Sequence, residues 1–255
     1  MWYNGFMPKK LIIANWKMNP SSLKEAENIW KQTLINATKA KNASVIVCMP
    51  YTYLYLAKKH KTKKIILGAQ NVFTETSGGF TGQVSVSMLR DAGVSTVLVG
   101  HSEVRKDGDT NEIVNTKINL LLKNKMNAIL CIGENHRDHN GFYLAYIKEQ
   151  LIESLKNISK TQIKNISIAY EPIWAIGLGA VREASVDEFI EIKIFIKKIL
   201  SDMYGNTIAL NIPILYGGSV NPQNSKLFLA EGGASGLLVG RDSLDPKKFN
   251  LIINS

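Results

Sequence analysis

The chain is poor in cysteine, poor in arginine, and without a long apolar run. Two cysteines in 255 residues exclude a disulfide-stapled scaffold. Both, Cys48 and Cys131, lie in apolar strand-like runs. That predicts buried free thiols in a reducing compartment, and so a cytoplasmic location. No run approaches the ~18 apolar residues that a membrane span needs, so no membrane partner is expected. The opening residues MWYNGFMPKK lack an apolar core of signal-peptide length, and residues 1–7 read as a short extension before Pro8. No Gly-x-Gly-x-x-Gly turn follows the first apolar strand, which disfavours a doubly wound dinucleotide fold. There is no P-loop and no Ser-His-Asp arrangement. His136 and His139 stand three residues apart, but no cysteine or carboxylate cluster accompanies them. They read as surface residues of a polar loop, and no metal is expected.

The net charge is +10. With arginine scarce, the excess is lysine scattered along predicted helices. Its one dense run, Lys58 to Lys64, reads as a solvated helix end. That distribution argues against a nucleic-acid partner, while a positive field suits an anionic small substrate.

What is present is alternation. Eight apolar, β-branched runs recur at residues 11–17, 44–50, 64–72, 96–103, 127–134, 166–174, 213–220 and 236–244. Their near-continuous apolar cores fit strands buried on both faces of a parallel sheet. Between them lie amphipathic segments at 23–39, 112–125, 142–158 and 186–203. Shorter ones lie at 53–59, 84–91, 222–230 and 246–253. Ser22 with Glu25, Asp109 with Glu112, and Ser185 with Glu188 have capping-box spacing. Eight strand–helix units in about 250 residues predict a closed (β/α)8 barrel, eight parallel strands ringed by helices, over residues 8–255.

Catalytic groups of such barrels sit at the C-terminal ends of the strands. Those ends are polar throughout this chain. Lys17 offers a cation that can stabilise a developing oxyanion. His101, just after Val97-Leu98-Val99-Gly100, can donate a hydrogen bond to a carbonyl. Glu171 ends an apolar strand and is followed by Pro172, a rigid shoulder, and then a glycine-bearing loop. A base that removes a carbon-bound proton needs that setting. Gly217, Gly218, Ser219 and Gly240 can turn backbone amides towards a phosphate.

Together, Asn15-Trp16-Lys17-Met18-Asn19, Gln70-Asn71-Val72, Gly100-His101-Ser102-Glu103, Cys131-Ile132-Gly133-Glu134, Tyr170-Glu171-Pro172-Ile173-Trp174-Ala175 and Leu215-Tyr216-Gly217-Gly218-Ser219-Val220 resemble the motifs of the triosephosphate isomerase family, in order. The resemblance spans Ile13 to Leu244. It implies interconversion of glyceraldehyde 3-phosphate and dihydroxyacetone phosphate, a step of glycolysis and gluconeogenesis, without a cofactor. It also implies that Glu171 moves the proton, while Lys17, neutral His101 and Asn15 stabilise the enediolate. Amides of Gly177, Ser219, Gly240 and Arg241 would hold the phosphate. Pro172, Trp174, Ala175, Ile176, Leu178, Gly179 and Ala180 would belong to a closing lid. A homodimer is implied, with Thr81, Gln83 and Glu103 at its interface.

Four features depart from the family pattern. The lid reads Gly177-Leu178-Gly179-Ala180, where the family has Gly-Thr-Gly-Lys. Arg241 stands where a second glycine is common. Val104 and Gln83 replace an arginine and a glutamate that pair across the dimer, and the loop after His101 is one residue short. The competing expectations are a barrel enzyme for another sugar phosphate, a barrel that binds without catalysing, and nucleic-acid binding through the lysine excess.

Overall fold

The computed structural model describes residues 9–59, 62–177 and 180–255. The expected extension at 1–7, His60 and Lys61 of the basic run, and Leu178 and Gly179 of the lid lie outside the described residues.

Eight parallel strands close on themselves in sequence order. They are β1 (Lys10–Asn15), β2 (Ala43–Met49), β3 (Ile65–Ala69), β4 (Thr96–Val99), β5 (Asn127–Ile132), β6 (Ile166–Tyr170), β7 (Ile214–Tyr216) and β8 (Gly236–Val239). Closure is direct, because β1 pairs with both β2 and β8. The near-continuous apolar runs are explained by two cores. Leu11, Ile13, Ile46, Cys48, Leu98, Ile129, Cys131, Ala169, Leu215 and Leu238 fill the barrel interior. The alternate positions, such as Ile12, Val45, Val47, Val97, Leu130 and Ile168, pack outward under the helices. Each strand is therefore buried on both faces.

The helices are α1 (Leu23–Lys39), α2 (Leu54–Lys59), α3 (Val86–Asp91), α4 (Ser102–Lys106), α5 (Asn111–Lys123), α6 (Phe142–Ser154), α7 (Val186–Tyr204), α8 (Asn206–Asn211), α9 (Ser225–Ala230) and α10 (Pro246–Ile253). Ser22 caps α1 by accepting from the Glu25 amide, and Ser185 with Glu188 forms a complete capping box on α7. The expected cap of α5 is corrected. Thr110, not Asp109, accepts from the Ile113 amide. Asp109 is drawn away by the buried Lys117 ammonium, which it meets at 2.5 and 2.7 Å.

Two short helices, α4 and α8, were not expected. The fourth apolar run reads through Glu103, but β4 ends at Val99. Gly100 sits at φ +69°, outside strand geometry, and His101 then caps α4. In α8 the C-terminal carbonyls of Ala209 and Leu210, with that of Ile212, accept from the Lys197 ammonium. No local sequence signal announces that clamp, since Lys197 lies on α7.

Candidate active site

Barrel register delivers the polar groups. Side chains on a strand alternate, so interior positions continue at steps of two beyond the strand end. Leu11 and Ile13 point inward, and Asn15 follows. Ala169 points inward, and Glu171 follows. The same step puts Gly217 after Leu215 and Gly240 after Leu238. The mouth of the barrel is thus an extension of its core.

Glu171 is 2% exposed. Its backbone amide donates to the Ile132 carbonyl at 2.8 Å, which ties it to β5. Only glycine fits opposite: a Cβ on Gly133 would lie 1.8 Å from the Glu171 carbonyl oxygen. One carboxylate oxygen, Oε2, accepts from the Ser102 amide at 3.1 Å, and Oε1 lies 3.1 Å from His101 Nε2.

The proton on His101 is assignable from geometry. Its Nδ1 accepts from the Glu103 backbone N–H at 3.2 Å. A backbone N–H can only donate, so Nδ1 carries no proton and the ring is neutral with its proton on Nε2. Nε2 is the atom that faces Glu171. The imidazole is therefore a hydrogen-bond donor aimed into the site.

Lys17 has φ +52°, an uncommon region for a side chain with a Cβ. Polar contacts hold it there. Its amide donates to Asn15 Oδ1 at 3.0 Å, and Gln70 Nε2 donates to its carbonyl at 2.9 Å. The Lys17 ammonium reaches Glu103 Oε1 at 2.6 Å. Burial works to raise the Glu103 carboxyl, but the hydrogen bond and charge of Lys17 outweigh it and hold Glu103 below the usual carboxylate range.

Asn15, Lys17, His101, Glu171, Gly177, Ser219, Gly240 and Arg241 line one cavity of about 410 Å3. Arg241 is absent from the positive-φ residues, so a residue with a Cβ fits where a second glycine is common. It opens a short 3-10 turn, Arg241–Ser243, whose first amides have no acceptor within the turn.

Comparison with known proteins agrees with this geometry. The sequence model of the family described as triosephosphate isomerase matches residues 10–255. The chain belongs to the triosephosphate isomerase family. It is 39% identical over 252 residues to the triosephosphate isomerase of Dictyoglomus thermophilum, covering 98% of this chain and 100% of that one. The Lawsonia intracellularis protein of the same name is 40% identical, with 97% and 98% covered. That of Aquifex aeolicus is 38% identical, with 97% and 99% covered.

The lid positions named from the family pattern flank the site. After β6, Pro172 leads into a 3-10 turn, Ile173–Ala175, and Ile176 and Gly177 reach the cavity wall. Ser219 Oγ donates to the Ala175 carbonyl at 2.7 Å, so the hydroxyl ties the β7 loop to the lid shoulder. Ala180, on the far side, donates its amide to the Gly177 carbonyl at 3.3 Å.

Several supporting residues had no role assigned from sequence. Gln70 bridges the first and second strand ends, donating to Asn15 Oδ1, the Lys17 carbonyl and the Cys48 carbonyl. Buried Gln150 on α6 accepts from the Gly133 amide at 2.9 Å. Glu134 accepts from Tyr170 Oη and Trp174 Nε1, each at 2.8 Å. Burial pushes the Glu134 carboxyl up, against those two hydrogen bonds. Gln70 and Glu134 carried the signal that marks the other site residues, a polar group just past an apolar strand. Gln150 sits on a helix and carried none.

Thr81 and Gln83 lie exposed in the loop after β3, beside Phe80, whose ring packs on Phe73 at 4.8 Å between centroids. Met18, 94% exposed, stands on the loop after β1. Glu103 is also exposed, but its carboxylate turns to Lys17 as well. His136 and His139 are both exposed.

Proposed function

We propose that this chain interconverts D-glyceraldehyde 3-phosphate and dihydroxyacetone phosphate, with Glu171 as the base that takes the carbon-bound proton. The observation that carries the reading is the pairing of Glu171 with a neutral, Nε2-protonated His101 across one cavity from Lys17. Removing a proton beside a carbonyl requires a carboxylate on one side and donors on the carbonyl oxygen on the other.

Starting from the aldehyde, Glu171 takes the proton from C2, and the electron pair moves to give the enediolate. His101 Nε2–H and the Lys17 ammonium stabilise the charge on oxygen, with Asn15 holding the Lys17 backbone. The protonated Glu171 returns its proton to C1, the O2 hydroxyl proton passes to O1 beside His101 Nε2, and the ketone forms at C2. The step is redox-neutral and balances without a cofactor. A neutral imidazole suits this task, and the family is the standard illustration of a histidine so tuned.

The Gly177, Ser219, Gly240 and Arg241 amides hold the phosphate. The shoulder at Pro172, Trp174, Ala175 and Ile176, with Ala180 beyond, carries a lid whose closure excludes water. Water exclusion matters because an exposed enediolate phosphate can expel its phosphate. Residues 8–255 then act as one catalytic unit. Its two buried free thiols suit a reducing cytoplasm.

We also assign a homodimer, in which the loop carrying Thr81 and Gln83, with exposed Met18 and Glu103, packs against a second copy. Replacing both members of a charge pair by Gln83 and Val104 leaves no unpaired buried charge there. Sedimentation at micromolar concentration should give twice the monomer mass, and a fully active monomer would refute the assignment. The enzymatic reading is tested in an NADH-coupled assay of glyceraldehyde 3-phosphate turnover. The wild type should turn over fast, and Glu171→Ala should lose roughly a thousandfold. A wild type that binds 2-phosphoglycolate without turning over would instead favour a binding protein.

A further inference from the structure

Arg182 does not line the active-site cavity, yet it holds a residue of the lid. Its guanidinium carbon lies 4.6 Å from the centroid of the Trp174 ring. The same guanidinium grips Glu188 with two hydrogen bonds, Nη1 to Oε2 at 2.9 Å and Nη2 to Oε1 at 2.5 Å. Glu188 is itself fixed. Its Oε2 accepts from the Ser185 amide at 2.8 Å, and its own amide donates to Ser185 Oγ at 3.1 Å. The anchor is thus the capping box of α7, a helix of 19 residues with a buried face.

Trp174 is held from a second direction. Its indole N–H donates to Glu134 at the end of β5. Its carbonyl accepts from the Val181 amide at 2.8 Å, joining the two shoulders of the lid beside Arg182. Trp174 is therefore gripped at its edge by the barrel and across its face by Arg182, which is itself anchored on α7. Glu188 stays ionised in this arrangement, because the hydrogen bond from Arg182 pulls its carboxyl down to about 2.

We propose that Arg182 is a positioning residue for the lid: through its stacking on Trp174 and its clamp on Glu188, it latches the shoulder in the arrangement seen here and sets how readily the lid closes. The proposal rests on the lid reading given above. It adds a device that the catalytic residues do not contain, a cation over the ring of a lid residue. A cation over an indole that is held bidentately by a carboxylate favours one state of the shoulder. A ligand that needs the other state must overcome that preference, so its apparent affinity is reduced by the latch.

The test is Arg182→Met, with Arg182→Lys as the conservative variant, in protein labelled with 5-fluorotryptophan. Fluorine NMR reports exchange at Trp174 in the free enzyme, and 2-phosphoglycolate titration reports closure. Arg182→Met should speed exchange at Trp174 and tighten 2-phosphoglycolate binding by about three- to tenfold, with Arg182→Lys between it and the wild type. Exchange and affinity both within a factor of two of wild type would overturn the latch. Should Arg182→Met fail to fold, Glu188→Gln removes the anchor's charge while keeping an oxygen for the Ser185 amide, and the same thresholds decide. Wild-type turnover is measured beside these. Its absence would sink the isomerase reading, whereas exchange at Trp174 in the free protein judges the latch either way.

Discussion

At the scale of single residues, the account depends on where protons and bulk can go. Gly133 admits no side chain, because an added Cβ would meet the Glu171 carbonyl oxygen at 1.8 Å. Gly133→Ala should therefore displace the base. We expect kcat to fall about a hundredfold, checked by steady-state kinetics alongside a circular dichroism spectrum of wild-type shape. Cys48 and Cys131 are fully buried, and burial pushes both thiols up. Neither should react with a thiol reagent in the native protein at pH 8, and both should react once it is unfolded. Lys17, His101 and Glu171 were each legible because a charged or titratable residue directly after a buried strand has no packing reason to be there. Gln150 was not legible, because a polar residue on a helix is ordinarily a solvated one. Only the fold shows that it is buried and bonded to Gly133.

At the scale of elements, caps and clamps decide boundaries. Ser185 caps α7, and Ser185→Ala should cost about 1 kcal/mol, read as a shift in the urea midpoint. Glu188 belongs to the same box and has a pH signature. Its carboxyl is lowered from 4.5 to about 2, chiefly by the Arg182 hydrogen bond. A depressed acid stabilises the fold fully above its unfolded value and loses that contribution as pH falls through its folded value. Glu188→Gln should therefore flatten the loss of stability between about pH 4.5 and 2 relative to wild type, measured as urea midpoint against pH. The apolar runs fall on every strand, and each extends past its strand's C-terminal end. In β4 the cause is Gly100 at φ +69°. After β6 it is Pro172, which lacks a ladder donor. Those overruns fell on the site loops, since the polar residues of the barrel mouth follow the apolar runs without a break in the sequence. The clamp of Lys197 on α8 joins two elements through a side chain, and local pattern cannot report it.

At the scale of the whole molecule, eight parallel pairings bring together groups as far apart in sequence as Asn15 and Arg241. Eight strand–helix units in about 250 residues, with no dinucleotide-type glycine turn after the first strand, predict that closure. The departures at Gln83 and Val104 belong to this scale too, since they bear on the surface that a second copy would cover. The barrel sets Glu171 in the wall of the cavity where the proposed reaction needs a base beside a carbon acid. The most direct test follows dihydroxyacetone phosphate by proton NMR in D2O with the wild type and with Glu171→Ala. The account predicts that the wild type replaces one C1 hydrogen by deuterium, and that Glu171→Ala slows this exchange by about a thousandfold, equivalent to about 4 kcal/mol of barrier. Exchange as fast in Glu171→Ala as in the wild type would contradict it, and would place the base elsewhere.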